Sequence, residues 1–180
     1  MALVVSGTLP STLEPGRLAL RKVCALMDLL VRTARIVAPP VLRVALAVPF
    51  FRSGLTRWDG FLSLSPSAEY LFAEEFKLHV FGGVFDIPAP LAVAYLTGIA
   101  EITLPILLLT GLATRFAALG LLAMAGVIQL VVPEGWSNFH LPWAGLAIAL
   151  VALGAGPLSL DAAIDRLWRR TWLAAGRQER

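Results

Sequence analysis

PAPLAVAYLTGIAEITLPILLLTGLATRFAALGLLAMAGVIQLVV, residues 88–132, is the stretch that decides the fold. Only two charged residues, Glu101 and Arg115, interrupt a run of mainly apolar and small side chains. Residues 88–110 and 114–132 each approach the length that a helix needs to cross the hydrocarbon of a bilayer. Because residues 111–113 leave room only for a tight turn, the stretch predicts an antiparallel pair of transmembrane helices.

Two further spans flank this hairpin, at about residues 41–57 and 141–158. The first is the weaker, since Arg43 and Arg52 interrupt it, and we expect Arg43 and Arg57 to extend to opposite interfaces. With 58% hydrophobic and 15% charged residues and a mean hydropathy of +0.78, the chain has too little polar material to cover a soluble surface. The prediction is an all-α membrane protein, a bundle of four transmembrane helices over residues 39–161.

The regions outside the bundle are basic. Residues 17–37 place Arg17, Arg21, Asp28, Arg32 and Arg35 on one helical stripe, which predicts an amphipathic helix on the inner membrane face within an N-terminal segment of residues 1–38. Pro39 and Pro40 are expected to end that helix and begin the first span. No removable signal peptide is evident at the start. Residues 162–180 form a basic tail, and Asp161 is expected to cap a helix beginning near Ala162.

The arrangement of charge predicts the topology. Basic residues precede the first span, follow the last one and include Arg115 in the hairpin turn, so the positive-inside rule places both termini in the cytoplasm. The predicted location is the bacterial inner membrane, crossed several times. Residues 58–87, with five acidic residues and one lysine, then face outward and are expected to form a short helix from Ser65 to about Val80 that Gly82 and Gly83 break.

Several classes of function are excluded or disfavoured. The pI is near 9.6, but the basic residues flank apolar spans instead of alternating with aromatic ones, so nucleic acid is not an expected partner. Cys24 is the only cysteine, and no phosphate-binding loop, nucleophile elbow or zinc-protease motif occurs. Glu75 and His79 stand four residues apart, a helical spacing that can bind a metal, but two isolated ligands predict no metal site.

Glu101 is the most informative polar residue, because it is expected near the middle of the bilayer, where a carboxylate needs a partner or a proton. Arg52 and Glu101 both lie roughly 15 Å from the inner ends of their spans, at 1.5 Å per residue. We therefore predict an Arg52–Glu101 ion pair, with Thr97 and Gly98 on the same face allowing close helix approach. Two interpretations remain open: the pair fixes helix register, or it forms part of a polar site for a quinone head group or a proton relay.

Gln129 and His140 are the other candidate site residues, near the outer ends of spans three and four. A histidine there can donate a hydrogen bond to a quinone carbonyl. The alternatives are an interfacial histidine beside Trp143 and an interhelical hydrogen bond from Gln129.

Three stretches of this sequence resemble the DoxX family of small four-span bacterial membrane proteins. They are Phe51-Arg52-Ser53-Gly54-Leu55-Thr56-Arg57, the pair Ala100-Glu101-Ile102 and Leu109-Thr110-Gly111-Leu112-Ala113-Thr114-Arg115, and Gly154-Ala155-Gly156-Pro157-Leu158-Ser159-Leu160-Asp161. The resemblance covers about residues 43–161 and departs from the family at Arg57, where lysine is usual, and at Ala155.

The resemblance implies the four-span fold and, less directly, a link to quinone-reducing membrane oxidoreductases, for which the family is named. On that basis we expect an accessory or quinone-interacting subunit with no cofactor of its own, for which quinone is the candidate ligand. A non-catalytic scaffold is the alternative, and a small transporter is a third possibility. The expected partners are the lipid bilayer and either another protein or further copies of the chain.

Overall fold

The computed structural model describes residues 14–178, with side chains described for residues 17–170. It is mostly helical, and the elements follow the chain as α1 Glu14–Leu55, α2 Pro66–Tyr70, β1 Lys77–Val80, β2 Gly83–Asp86, α3 Pro90–Thr110, α4 Thr114–Val131, α5 Leu141–Leu153 and α6 Leu160–Gln178. Two π-helical turns, Leu71–Glu75 and Trp136–His140, and a 3-10 turn, Pro133–Gly135, join these elements.

Four helical stretches of the described chain are long and apolar enough to cross a membrane: Arg17–Leu55, Pro90–Thr110, Thr114–Val131 and Pro133–Leu153. They confirm the four predicted spans. The core lies where α1, α3, α4 and α5 meet, and its largest members are Leu46, Phe50, Leu108, Leu121 and Leu150. Small residues of α4 and α5, such as Ala118 and Ala147, are also fully buried there, so these two helices can approach closely.

The predicted boundary at Pro39 and Pro40 is wrong, because both prolines lie inside α1. Proline removes one backbone donor, but its fixed φ is helical, and membrane helices tolerate it where neighbouring groups satisfy the freed carbonyls. The predicted helix over residues 17–37 is therefore the first part of α1, and all of its side chains are exposed. Residues 14–35 belong to a separate compact unit from the bundle, which begins at Ile36. The predictions for residues 1–13, including the absence of a signal peptide, lie outside the described residues.

The α3–α4 hairpin forms as predicted. Gly111 ends α3 in the left-handed conformation (φ 70°), and Ala113 precedes α4 with φ 48°. Two residues with left-handed φ within three positions reverse the direction of the chain. Glycine, at position 111, adopts this conformation at no steric cost. The end of the bundle that carries this turn is called the inner end below, following the orientation that the charges predict.

The fourth span ends earlier than predicted. α5 stops at Leu153, five residues before the expected end at Leu158, because Gly154 and Gly156 take left-handed φ values of 76° and 75° and Pro157 cannot continue a helix. At its other end, the turns over residues 133–140 extend the helical path toward the outer side.

Residues 56–89, called the outer segment, differ from the prediction beyond Glu75. The helix that begins at Pro66, capped by Ser65, ends with the π-helical turn, and residues 77–86 form an antiparallel β-hairpin. Phe81 and Gly82 both have positive φ, 49° and 81°, the conformation that a two-residue hairpin turn requires. The two glycines therefore mark the turn of a hairpin and not the end of a helix.

Asp161 has a different role from the one predicted. Its carboxylate accepts hydrogen bonds from the backbone N–H groups of Ala113 (2.8 Å) and Thr114 (3.1 Å), so it caps α4. The cap of α6 is Ser159, whose Oγ accepts from the N–H of Ala162 at 3.1 Å. Arg43 also departs from expectation: at the inner end, beside Gly111, it is buried and donates from Nη2 to the carbonyl of Leu158 at 2.6 Å, instead of extending its guanidinium into the interface.

Candidate functional site

The close approach of α1 and α3 positions the candidate site. A Cβ atom on Gly54 would lie 2.9 Å from the backbone carbon and the Cβ of Glu101, closer than real Cβ contacts. At Gly98, one turn before Glu101, an added Cβ would lie 2.8 Å from the ring of Trp58, which follows the end of α1. The close neighbour of Gly98 is therefore the outer segment and not the neighbouring helix that the sequence had led us to expect. Gly54 is the glycine that lets the backbones of α1 and α3 meet at the level of the carboxylate.

Glu101 forms an ion pair with Arg57 and not with Arg52. Arg57 Nε donates to Oε2 at 3.0 Å and Nη2 donates to Oε1 at 3.4 Å, while Ser53 Oγ donates to Oε1 at 3.3 Å. The Glu101 side chain is only 4% exposed and that of Arg57 13%. Arg52 is exposed, so the predicted Arg52–Glu101 pair is wrong, although Glu101 is paired with another arginine.

The end of α1 explains why Arg57 is the partner. The helix stops at Leu55, and the chain then turns, with the N–H of Arg57 donating to the carbonyl of Gly54 at 3.2 Å. This turn directs the Arg57 side chain inward. The guanidinium carbon also lies 5.0 Å from the centre of the Phe72 ring and 6.0 Å from that of Phe76. Cation–π attraction from the outer segment therefore adds to the ion pair in fixing the guanidinium.

A cavity of about 690 Å³ lies beside this ion pair. Its walls come from the end of α1, the outer segment, α3, α4 and Trp143 of α5, and they are mostly aliphatic and aromatic. The polar exceptions are Ser53, Arg57, Thr97 and Glu101. The cavity thus combines a large apolar volume with one small polar wall, which is typical of a site for a mainly apolar small molecule with a polar head.

The cavity opens sideways between α3 and α4. Leu96 on α3 and Val127 and Leu130 on α4 line it and are also exposed on the outer surface of the bundle. Because these residues belong to two of the candidate membrane spans, this open side would face lipid in a bilayer.

Thr97, one of the candidate site residues, lies in the cavity wall one turn from Glu101. Its hydroxyl donates within α3, with the carbonyls of Val93 at 2.7 Å and Ala94 at 3.1 Å as acceptors. Because the hydroxyl proton is used within the helix, the Thr97 oxygen can only accept a hydrogen bond from a ligand.

Gln129 and His140 form a separate pair at the outer side. His140 Nδ1 and Gln129 Oε1 lie 2.6 Å apart, which requires the ring proton on Nδ1, and Gln129 Nε2 donates to the carbonyl of Pro133 at 3.2 Å. His140 is buried, and its ring centre is 5.6 Å from that of Trp143. Neither Gln129 nor His140 lines the cavity. The structure therefore matches the interhelical hydrogen bond and the histidine beside Trp143, and it does not bring these two residues to the Arg57–Glu101 pair.

Glu75 and His79 do not share a helix. Glu75 ends the π-helical turn, whereas His79 lies on β1 with Nδ1 3.2 Å from the carbonyl of Leu130. The helical metal-binding spacing that the sequence offered is therefore lost.

Sequence reasoning missed Ser53, Gly54, Arg57, Phe72 and Phe76 as site residues. A signal for the first three was present in a helical stripe whose continuation passes through residues 53 and 57. The buried residues of this stripe on α1 are Pro39, Arg43, Leu46, Ala47, Phe50 and Gly54. Nothing local in the sequence places the two phenylalanines, because their position depends on how the outer segment folds back.

Comparison with known proteins supports the membrane fold. The DoxX family model matches residues 38–134, more than half of the chain. An uncharacterized protein of Haemophilus influenzae is 31% identical over 142 residues, which cover 74% of this chain and 87% of the relative. No solved structure matches significantly. The residues matched by the family model include Ser53, Arg57, Thr97, Glu101 and Gln129, and His140 and Asp161 lie beyond them.

Proposed function

This chain belongs to the DoxX family of multi-pass membrane proteins, and we propose that it holds the head group of a quinone in the cavity beside Arg57 and Glu101. In this proposal the protein acts in a bacterial inner membrane as an accessory subunit of an oxidoreductase system. The quinone would supply the redox chemistry: two electrons from a partner protein and two protons from the surrounding water would reduce it to the quinol.

The observation that carries the proposal is the single polar wall of a lipid-accessible apolar cavity. A quinone is an apolar ring and tail with two carbonyl acceptors. Arg57 uses Nε and Nη2 on Glu101, and among the described residues its Nη1 group makes no hydrogen bond, so a donor is free for a carbonyl. The residues present therefore fit the group.

The aromatic and aliphatic walls suit the rest of such a ligand. Phe72 and Phe76 stand beside the guanidinium and line the cavity, where they can contact the face or edge of a planar ring at the polar wall. The opening beside Leu96 and Val127 leads an isoprenoid tail into the hydrocarbon. A volume of about 690 Å³ lies within the range of roughly 300–1,000 Å³ that is usual for small-molecule sites.

The test is extraction of the full-length protein in native-lipid nanodiscs, followed by mass spectrometry of the quinones and proteins that accompany it. Arg57→Gln and Glu101→Gln remove the polar wall, and Ala100→Phe fills the cavity without changing a charge. Arg52→Gln is the matched control for charge, because Arg52 is exposed and does not line the cavity. Ala92→Phe, an exposed site on the same helix, is the control for added volume.

Quinone enriched above its ratio to bulk lipid, lost in Arg57→Gln and Ala100→Phe and kept in both controls, is the expected result. Thr97→Val is expected to change enrichment little, because the Thr97 hydroxyl donates within α3 and so offers no proton to a carbonyl. Partner proteins that accompany the chain with no quinone enrichment would overturn the proposal and favour a scaffold.

A further inference from the structure

The start of α6 is fixed at the inner end of the bundle. The N–H of Asp161 donates to the carbonyl of Gly111 at 2.9 Å, and the Asp161 carboxylate accepts from Ala113 and Thr114 in return. These bonds tie the first turn of α6 to the turn between α3 and α4. Because that turn joins two transmembrane helices, α6 begins at the level of the membrane interface.

One face of α6 is apolar and exposed. Leu160, Ile164 and Leu167 follow the spacing of a helical stripe and are 46%, 51% and 63% exposed. At about 100° per residue these positions fall within an arc of roughly 60°. The bundle itself does not cover this stripe.

The opposite face of α6 is basic. Arg166, Arg169 and Arg170 are exposed there, and Asp165 is engaged by Arg169 at 2.9 Å. Arg166 and Arg170 are thus left as positive charges without a nearby acidic partner among the described residues. Arg166 Nε donates to the carbonyl of Ala162, one turn back on the same helix.

These features restrict the path of α6. The charged arginines prevent α6 from entering the hydrocarbon, and a path into water would leave its apolar stripe exposed to solvent. Helix α6 starts at the interface and has one arginine-rich face and one apolar face. If it lies in the plane of the interface, the arginines contact head groups and water while the apolar face contacts acyl chains. We propose that α6 lies on the inner leaflet with Leu160, Ile164 and Leu167 among the acyl chains, and that Arg166 and Arg170 bind the phosphates of anionic phospholipids.

The arrangement gives the inner end a membrane anchor that is independent of the cavity. Asp161 belongs both to α6 and to the cap of α4, so a helix held on the leaflet also holds the α3–α4 turn. The anchor uses none of the residues proposed for quinone, and its test does not depend on that function.

Site-directed spin labelling of the full-length protein tests the proposal. Cys24→Ser removes the only cysteine, and single cysteines at Ile164 and Leu167 report on the apolar face, with Arg166 and Arg169 reporting on the other. Labelled protein is reconstituted in phosphatidylcholine vesicles with and without one quarter phosphatidylglycerol. Collision rates with oxygen and with a water-soluble nickel chelate then give the depth of each label.

Labels at positions 164 and 167 should collide more often with oxygen, and labels at positions 166 and 169 more often with the nickel chelate. The labels on the apolar face should lie deeper when phosphatidylglycerol is present. Adding Arg166→Gln and Arg170→Gln to the Ile164 label should remove that dependence on anionic lipid, whereas Arg52→Gln should leave it unchanged. Equal access of the nickel chelate at all four positions would overturn the proposal. So would protection accompanied by dipolar coupling between labels on different molecules, since a second copy would then cover the stripe.

Discussion

Replacing Glu101 by glutamine is expected to destabilise the bundle by about 3 kcal/mol. Removing one member of a buried ion pair costs about 3–5 kcal/mol, because the remaining charge stays buried without a partner. The lower end applies here, since the Arg57 side chain keeps 13% exposure and its contact with the Phe72 ring. Glutamine also preserves one acceptor oxygen for the guanidinium, so the loss reports mainly on charge.

A double-mutant cycle separates the pair from the two individual side chains. Arg57→Gln should destabilise by a similar amount, because Glu101 is 4% exposed and would be left as a buried carboxylate. The double variant should lose less than the sum, with a coupling energy of about 2 kcal/mol, within the range found for residues in direct contact. Reversible unfolding by SDS in lipid–detergent bicelles, followed by tryptophan fluorescence, measures all three variants.

Arg52→Gln provides the matched control and decides between the two arginines. Arg52 is exposed, so its replacement should change the free energy of unfolding by no more than about 0.5 kcal/mol. A coupling between Glu101 and Arg52 larger than that between Glu101 and Arg57 would refute the pairing described here. A loss in Glu101→Gln no greater than that in Arg52→Gln would refute the claim that the carboxylate is buried and paired.

Three further changes test the packing, each by the same unfolding measurement. Gly54→Ala should destabilise the bundle by about 1–3 kcal/mol, because the new Cβ would lie 2.9 Å from the Glu101 backbone. Gly126→Ala is the control and should be neutral or slightly stabilising, since nothing lies within 4 Å of a Cβ at that position. Equal losses in the two variants would contradict the close approach of α1 and α3 at Gly54. Asp161→Ala should cost about 2 kcal/mol by removing both hydrogen bonds that cap the start of α4, and a neutral result would contradict the role of Asp161 as the cap. Gln129→Leu should cost about 1–2 kcal/mol because it leaves buried His140 without its acceptor, and Gln129→Glu should retain more stability than the leucine variant.

Hydropathy was sufficient to predict the four spans, because the cost of exposing charge to hydrocarbon is large and depends only on composition over about 20 residues. The hairpin at Gly111 followed from loop length alone. The ends of elements were harder. Pro39 and Pro40 lie inside α1, and Gly154 ends α5 early, since proline and glycine change local preferences that the surrounding bundle can either override or use.

The wrong prediction for Arg52 shows that the depth of a residue in the membrane does not by itself determine which residues it contacts. Counting residues along two helices placed Arg52 and Glu101 at the same level, but a helix turns by about 100° per residue, so neighbours in depth can face opposite ways. Arg52 lies off the stripe that contains Phe50 and Gly54, and it is exposed. Arg57 lies beyond the last helical turn and reaches Glu101 because the chain bends back there. A prediction of contact needs both the face and the depth of each residue.

The stretches that carry the family resemblance have different structural roles. Residues 109–115 and 154–161 meet at the inner end, where Asp161 caps α4 and bonds to Gly111. Those residues close the bundle, and their presence is explained by the fold alone. Residues 51–57 and 100–102 instead meet at the Gly54 approach and the Arg57–Glu101 pair, beside the cavity. A bundle can close at its inner end without an arginine and a glutamate bordering a lipid-accessible cavity, so an argument about ligand binding should rest on residues 51–57 and 100–102, whereas residues 109–115 and 154–161 support the fold.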